Sequence, residues 1–112
     1  MFVETKREGE VATPVDLTEA WRAILLSAAD FLECHRWIQA NFADGTGGYC
    51  VRGAIYSASG YDGSMSNNRS IYLMARAKFT KFLGIEDCHD WNDAPGRTKE
   101  EVITALRAAA RS

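Results

Sequence analysis

The sequence predicts a mainly α-helical, compact single domain of about four helices, with a short β-hairpin between the first and the second. Three observations carry that expectation. Apolar residues recur at three- and four-residue steps in several separate stretches, the period of a helix buried along one face. Glycine, proline and asparagine gather between those stretches, where the chain must reverse. The chain has 112 residues, 46% hydrophobic and 25% charged, which suits one domain that buries roughly two-thirds of its unfolded surface without metal or disulfide staples. Its nine glycines follow no period, which excludes a collagen-like chain, and no repeat of solenoid length recurs.

The elements follow in order. Residues 1–12 are polar, charged and aperiodic, and read as a mobile tail ahead of a domain at 13–112. Thr13-Pro14-Val15-Asp16 opens the first helix. Thr13 can cap, Pro14 suits the first helical position, and Asp16 favours the positive helix end. The stripe Leu17, Trp21, Ile24, Leu25, Ala28, Phe31 and Leu32 carries this helix to about Cys34. Trp37 to Phe42 loosely alternates in polarity, and Asp44-Gly45 with Gly47-Gly48 supplies turn residues that tolerate positive φ, which fits an irregular loop or, the preferred reading, the short hairpin. Cys50 to Ala58 reads as a short second helix in which Gly53 permits close contact with a neighbouring helix. The third helix spans about Asn68 to Leu83 and stops at Gly84. Ile71, Ala75, Phe79, Phe82 and Leu83 form its buried arc, with Arg76, Lys78 and Lys81 outside it. A linker containing Trp91 and a turn at Pro95-Gly96 lead to the last helix. Thr98 and Glu101 cap it as a reciprocal box, and Val102, Leu106 and Ala109 give its apolar face.

Charge and cysteine count bound the partners and the compartment. The formal net charge is -2. Residues 1–48 hold four Lys/Arg against eight Asp/Glu, and residues 49–112 hold nine against seven. Neither half is basic enough for a domain living on phosphate backbones, so nucleic acid is disfavoured as a partner. Apolar runs reach only about four residues, far short of the roughly twenty of a membrane helix. Met1-Phe2 leads straight into charged residues rather than the apolar core of a secretion signal. Three cysteines, Cys34, Cys50 and Cys88, cannot all pair within one chain and suit the reducing cytoplasm. The expectation is a soluble cytoplasmic protein with no membrane contact and no cofactor.

Trp91-Asn92-Asp93-Ala94-Pro95-Gly96-Arg97-Thr98, with Glu101-Val102 and an Ala-rich helix behind it, resembles the tail of a family of small uncharacterised bacterial, notably actinobacterial, and phage proteins. Its members end in W-N-D-x-P-G-R-T and a terminal helix. The resemblance extends to the long first helix, to Trp37 and Gln39, and to Cys50-x-x-Gly53-Ala54, covering most of residues 13–112. Relatives commonly have Gly where His35 or Arg36 stands and where Ala40 stands, and the Cys88-His89 pair is peculiar to this chain. The resemblance implies a fold and a bacterial or phage origin. It implies no activity.

Several groups could carry chemistry. Trp91, Asn92, Asp93 and Arg97 either build a capped turn or form a polar recognition site beside an aromatic, with the guanidinium ready for bidentate bonding. Arg69, Arg76, Lys78 and Lys81 lie on the third helix with no acid between Ser66 and Leu83, which suits either a solvated flank or an acidic partner surface. Cys50 at a helix start could be an activated nucleophile, with His89 as base and Asn92 or Asp93 as orienter. As a small buried residue beside Gly53-Ala54 it suits plain packing better. Cys34, Cys50, Cys88 and His89 could supply four zinc ligands, but no C-x-x-C pair supports that, so no metal is expected. Tyr49, Tyr56, Tyr61 and Tyr72 could line either a small-molecule cleft or a core.

Two functional readings stand. The leading one is a non-enzymatic interaction or regulatory module, phage-encoded or carried by a mobile element. It binds a protein partner through Trp91, Asn92, Asp93 and Arg97 together with Arg76 on the basic third helix. The alternative is a small thiol-dependent enzyme using Cys50 with His89. Homo-oligomers are compatible with both, because a helix face that pairs with a second copy has the same amphipathic pattern as one that packs in a core.

Overall fold

The structure, a computed structural model, describes residues 19–61, 63 and 67–112. The expected tail, the Thr13-Pro14 cap and Leu17 lie outside the described residues. Five helices and a two-stranded sheet make up the rest: α1 Ala20–Cys34, β1 Arg36–Trp37, β2 Gly48–Tyr49, α2 Val51–Ser59, α3 Asn67–Leu83, α4 Cys88–Asn92 and α5 Lys99–Ala110. None of these helices is long and apolar enough to cross a membrane.

The core grows from α1. Trp21, Leu25, Ala28, Ala29 and Leu32 bury one face of it, against which α5, α2 and α3 all pack. Phe79, Ile55, Leu106, Val51 and Val102 fill the space between, each such side chain contributing about 1.5–3 kcal/mol by leaving water. α1 and α5 run antiparallel and are tied at both ends. The Arg22 guanidinium donates to the Ala110 and Ser112 carbonyls at 3.0 and 2.6 Å, while Lys99 Nζ donates to the His35 carbonyl at 2.9 Å. The expected capping box of α5 is present. Thr98 Oγ1 accepts from the Glu101 N–H at 3.1 Å, and Glu101 Oε1 accepts from the Thr98 N–H at 3.0 Å.

Four expectations need correction, the last of them the contact made at Gly53. The α3 arc is rotated, so that Tyr72, Ala75 and Phe79 are buried and Phe82 is 43% exposed. Tyr72 can enter the core because its hydroxyl meets Arg52 Nε at 3.2 Å, and a tyrosine is admitted where its polar end is partnered. The linker around Trp91 contains a single helical turn, α4, capped by the Asp87 carboxylate, which accepts from the His89 N–H at 2.9 Å. The hairpin is replaced by a parallel pair, Arg36 opposite Gly48 and Trp37 opposite Tyr49. A parallel return needs a second reversal. It is made by Ala40 at φ 75°, Gly45 at 78° and Gly47 at 93°, and by an antiparallel bridge between Ala43 and Tyr49.

The loop between the strands is organised by Asp44. Its Oδ1 accepts from the Thr46 and Gly48 N–H groups, both at 2.9 Å, and from Thr46 Oγ1 at 3.0 Å. Its Oδ2 takes the Arg36 guanidinium at 2.7 Å. Gly48 is required, because a Cβ there would collide with the Asp44 carboxylate and with Ile38. Gly53 likewise admits a close approach, though by the Phe42 carbonyl of this loop rather than by another helix.

The Thr46 and Gly48 N–H groups, followed by Arg36, hold the Asp44 carboxyl well below the usual carboxylate range. The stability this contributes is complete above about pH 4 and is lost as pH falls through the lowered folded-state value. Asp44→Asn should therefore lower the denaturation midpoint at neutral pH and converge with wild type in acid. Urea titrations across that range will show whether the two curves converge.

Candidate functional site

The W-N-D-x-P-G-R-T segment closes on a single buried side chain. Asn92 ends α4, is fully buried, and makes four hydrogen bonds through its amide. Oδ1 accepts from Trp37 Nε1 at 2.6 Å and from the Val51 N–H at 3.0 Å. Nδ2 donates to the Ile38 carbonyl and to Asp93 Oδ1, both at 3.0 Å. One amide thereby joins β1, the first turn of α2 and the end of α4. A primary amide offers two acceptor sites and two donors, and all four are engaged.

The flanking residues extend the same knot. Gln39 Nε2 donates to the Asn92 and Ala94 carbonyls, each at 3.1 Å. Asp93 Oδ1 accepts from the Ala40 N–H at 2.9 Å, which fixes a residue whose positive φ costs an alanine about 1–2 kcal/mol. A glycine at that position would avoid the strain. Asp93 Oδ2 lies 3.2 Å from His89 Nε2. Burial pushes the Asp93 carboxyl up, but the Ala40 N–H, the Asn92 amide and His89 together hold it below its ordinary value.

Trp91 packs edge-on against Phe79 at 5.6 Å and is covered by the Arg97 guanidinium at 4.0 Å. Arg97 also donates from Nε to the Trp91 carbonyl at 2.9 Å and lies 3.6 Å from Glu101. The turn between them forms as expected, with Gly96 at φ 83° and the Arg97 N–H on the Ala94 carbonyl at 3.1 Å. Of the residues named for partner binding, Asn92 is thus sealed inside, while Trp91, Asp93 and Arg97 are half-buried, the Asp93 carboxylate and the Arg97 guanidinium being turned to the protein's own groups.

Cys50 stands at the N-cap of α2, its Sγ accepting from the Gly53 N–H at 3.4 Å. It is fully buried. Burial pushes the Cys50 thiol up, against the downward pull of the Gly53 and Arg52 N–H groups, opposite to what an activated nucleophile needs. His89 pairs with Asp93 and Asn92 is occupied, so neither is aligned on that thiol. Cys88 is buried and its thiol pushed up for the same reason, whereas Cys34 is exposed. Among the described residues no three metal-ligating side chains come together, so Cys34, Cys50, Cys88 and His89 do not assemble as a zinc set.

A second cluster was only partly legible in the sequence. Tyr56, Tyr61 and Tyr72 meet with ring centroids 5.3–5.5 Å apart, and Phe42 joins through Tyr56 at 5.2 Å. Tyr49 goes elsewhere, packing against Phe31 and His35. Two guanidinium groups flank the cluster. Arg52 lies 5.7 Å from the Phe42 ring and Arg76 lies 5.5 Å from the Tyr72 ring. Beside Arg76 a groove of about 230 Å³ runs along Leu73, Ala77 and Asp87. Tyr72 is buried at the base of the cluster, Tyr56, Tyr61, Arg52 and Arg76 are half-buried above it, and Phe42 and Leu73 are each 38% exposed, so the outer edge of the cluster is surface. Phe42 lies in the inter-strand loop and Arg52 on α2, and no spacing pattern in the sequence joins them to the tyrosines.

A family model described as a family of unknown function, DUF6197, matches residues 16–112. The chain belongs to that family. The match takes in all five helices, the small sheet and the Asn92 knot. A search of the curated proteins and of the solved structures finds no match. Membership in DUF6197 brings a family with no assigned activity, so the chemistry rests on the residues described above.

Two outcomes are expected at this site. Asn92→Ala strands the Trp37 and Val51 N–H groups and the Ile38 carbonyl, and should destabilise by about 3–5 kcal/mol, read as the shift in a urea unfolding curve. Asn92→Asp keeps the acceptor but sets a carboxylate against Ile38 O and Asp93, and its deficit should shrink as pH falls and the new carboxyl protonates. Separately, alkylation at neutral pH should label Cys34 quickly and reach Cys50 and Cys88 only after denaturation. Rapid labelling of Cys50 in the folded protein would restore the thiol-enzyme reading.

Proposed function

We propose that this DUF6197 chain is a small non-enzymatic interaction module that binds another protein through the arginine–aromatic face of α2 and α3. The observation that carries the reading is the cluster of Arg52 and Arg76 with Phe42, Tyr56, Tyr61 and Tyr72. Arginine and tyrosine held in place by stacking lose little freedom on binding, which is why they are enriched among the residues that dominate protein interfaces. Arg52 is anchored through its Nε on the Tyr72 hydroxyl, and a guanidinium anchored at Nε can still present its terminal N–H groups to a carboxylate. The partner chemistry that fits is an acidic side chain next to an apolar one, the latter meeting Leu73 and Phe42.

The other features support the same reading. Trp91, Asn92, Asp93 and Arg97 shape the scaffold that places α2, and Arg76 is the member of the expected binding set that faces outward beside a groove. The buried, raised thiol of Cys50 argues against the enzymatic alternative. The slightly acidic chain, with Glu86 and Asp87 on the rim of the groove, favours a protein over a nucleic acid. An exposed free Cys34 beside two buried thiols suits the reducing cytoplasm. The resemblance of the W-N-D-x-P-G-R-T tail supports a bacterial or phage source.

Arg52→Glu and Arg76→Glu should each weaken capture of the partner about tenfold or more; circular dichroism should be unchanged for Arg76→Glu, while Arg52→Glu should also lower the unfolding midpoint because the Tyr72 hydroxyl loses its donor. A crosslinker placed at Leu73 should reach the partner, and one placed at Lys99 should not. Capture that survives both charge reversals while crosslinks form near Arg97 would return the binding face to the turn.

A further inference from the structure

The face formed by the C-terminal half of α3 and the outer side of α5 has an unusual distribution of charge. At its centre Phe82, the most exposed of the large hydrophobic side chains described at 43%, stands beside an apolar groove of about 350 Å³ lined by Leu83, Thr104, Ala105 and Ala108. Glu100 and Glu101 close the groove at the N-terminal end of α5. Phe82 also borders a second hollow, toward the C-terminal end of α5, lined by Trp21, Arg22, Lys78, Lys81 and Ser112. Along one line, about 18 Å of helix axis at 1.5 Å per residue, the surface therefore passes from acidic, through apolar, to basic.

Such a surface is complementary to itself when turned end for end. A two-fold axis through its middle brings the basic end of one copy onto the acidic end of the other, and the apolar middle onto itself. We propose that a second copy of this chain docks here, with α5 against α5 antiparallel. Phe82 of each copy enters the groove beside Ala105 and Ala108 of the other, and Lys78 and Lys81 of each face Glu100 of the other. The interaction is distinct from the arginine–aromatic face, which stays open in this dimer. Charge pairing sets the antiparallel register, since the parallel arrangement would oppose like charges. Phe82 supplies the desolvated contact at the centre, where a large aromatic counts most.

Sedimentation equilibrium of the full-length chain, from micromolar to millimolar concentration and in low and high salt, tests this directly. A dimer is expected whose population grows with concentration and shrinks with salt, because exposed ion pairs are screened within about 10 Å at moderate ionic strength. Phe82→Glu should weaken dimerisation at least about tenfold, and circular dichroism will check that this surface residue leaves the fold intact. Lys81→Glu and Glu100→Lys should each weaken it, and the doubly reversed chain should recover it. A monomer at every concentration overturns the proposal. So does a dimer indifferent to Phe82→Glu, or a double reversal that fails to recover.

Discussion

The side-chain amide of Asn92 is the interaction on which the rest of the structure depends. α4 is a single turn, and an isolated turn of five residues has no stability of its own, because nucleation fixes several dihedrals for one hydrogen bond. It is held by what Asn92 reaches: the Trp37 indole in β1, the Ile38 carbonyl beyond it and the first N–H of α2. These are backbone or indole groups in a short sheet and a helix start, none of which regular structure would satisfy there. Left unpaired in a buried setting, each costs about 1–3 kcal/mol. One residue with two donors and two acceptors resolves all of them.

Around that amide, carboxylates do for the irregular segments what ladders do for regular ones. The 38–47 loop pairs its backbone with β2 and the start of α2 at only a few points, and side chains meet N–H groups that this pairing leaves over. Asp44 takes the N–H groups of Thr46 in the loop and of Gly48 at the start of β2, and Asp93 takes Ala40 from outside the loop. Both carboxyls are accordingly held below their ordinary values. The loop is thereby pinned at two points, and it carries the Phe42 carbonyl against Gly53 and the Phe42 ring into the aromatic cluster. The scaffold and the candidate binding surface meet in this loop.

The conspicuous motif of the chain is therefore inward-looking, and the surfaces with unmatched chemistry lie elsewhere. Function resides in sites carried on a fold rather than in the fold. The W-N-D-x-P-G-R-T turn builds a platform, while the arginine–aromatic face and the Phe82 groove are built from ordinary helix residues that no motif marks. The match to DUF6197 spans that platform and both surfaces.

What the sequence determined by itself was whatever depends on neighbours along the chain. The buried stripe of α1 after Trp21, the capping box at Thr98 and Glu101, the stop at Gly84 and the turn at Pro95-Gly96 all follow from spacing and local bonding, and all are present. Cys50 was correctly placed at a helix start for the same reason. Only the tertiary structure decided the rest. A parallel pair and a hairpin use the same alternating residues and turn glycines, and the choice between them lay with the Asp44 and Asn92 bonds that cross the loop. Phe82 satisfied the helical period of the α3 arc, yet the packing of α1 and α5 selected Tyr72 instead because Arg52 could partner its hydroxyl. The role of Asn92 was ambiguous in one dimension, since an asparagine beside a tryptophan reads equally as a turn or as a recognition site. Its four partners lie up to 55 residues away, and a side chain's hydrogen-bonding capacity is assigned only when the chain brings those partners within 3 Å.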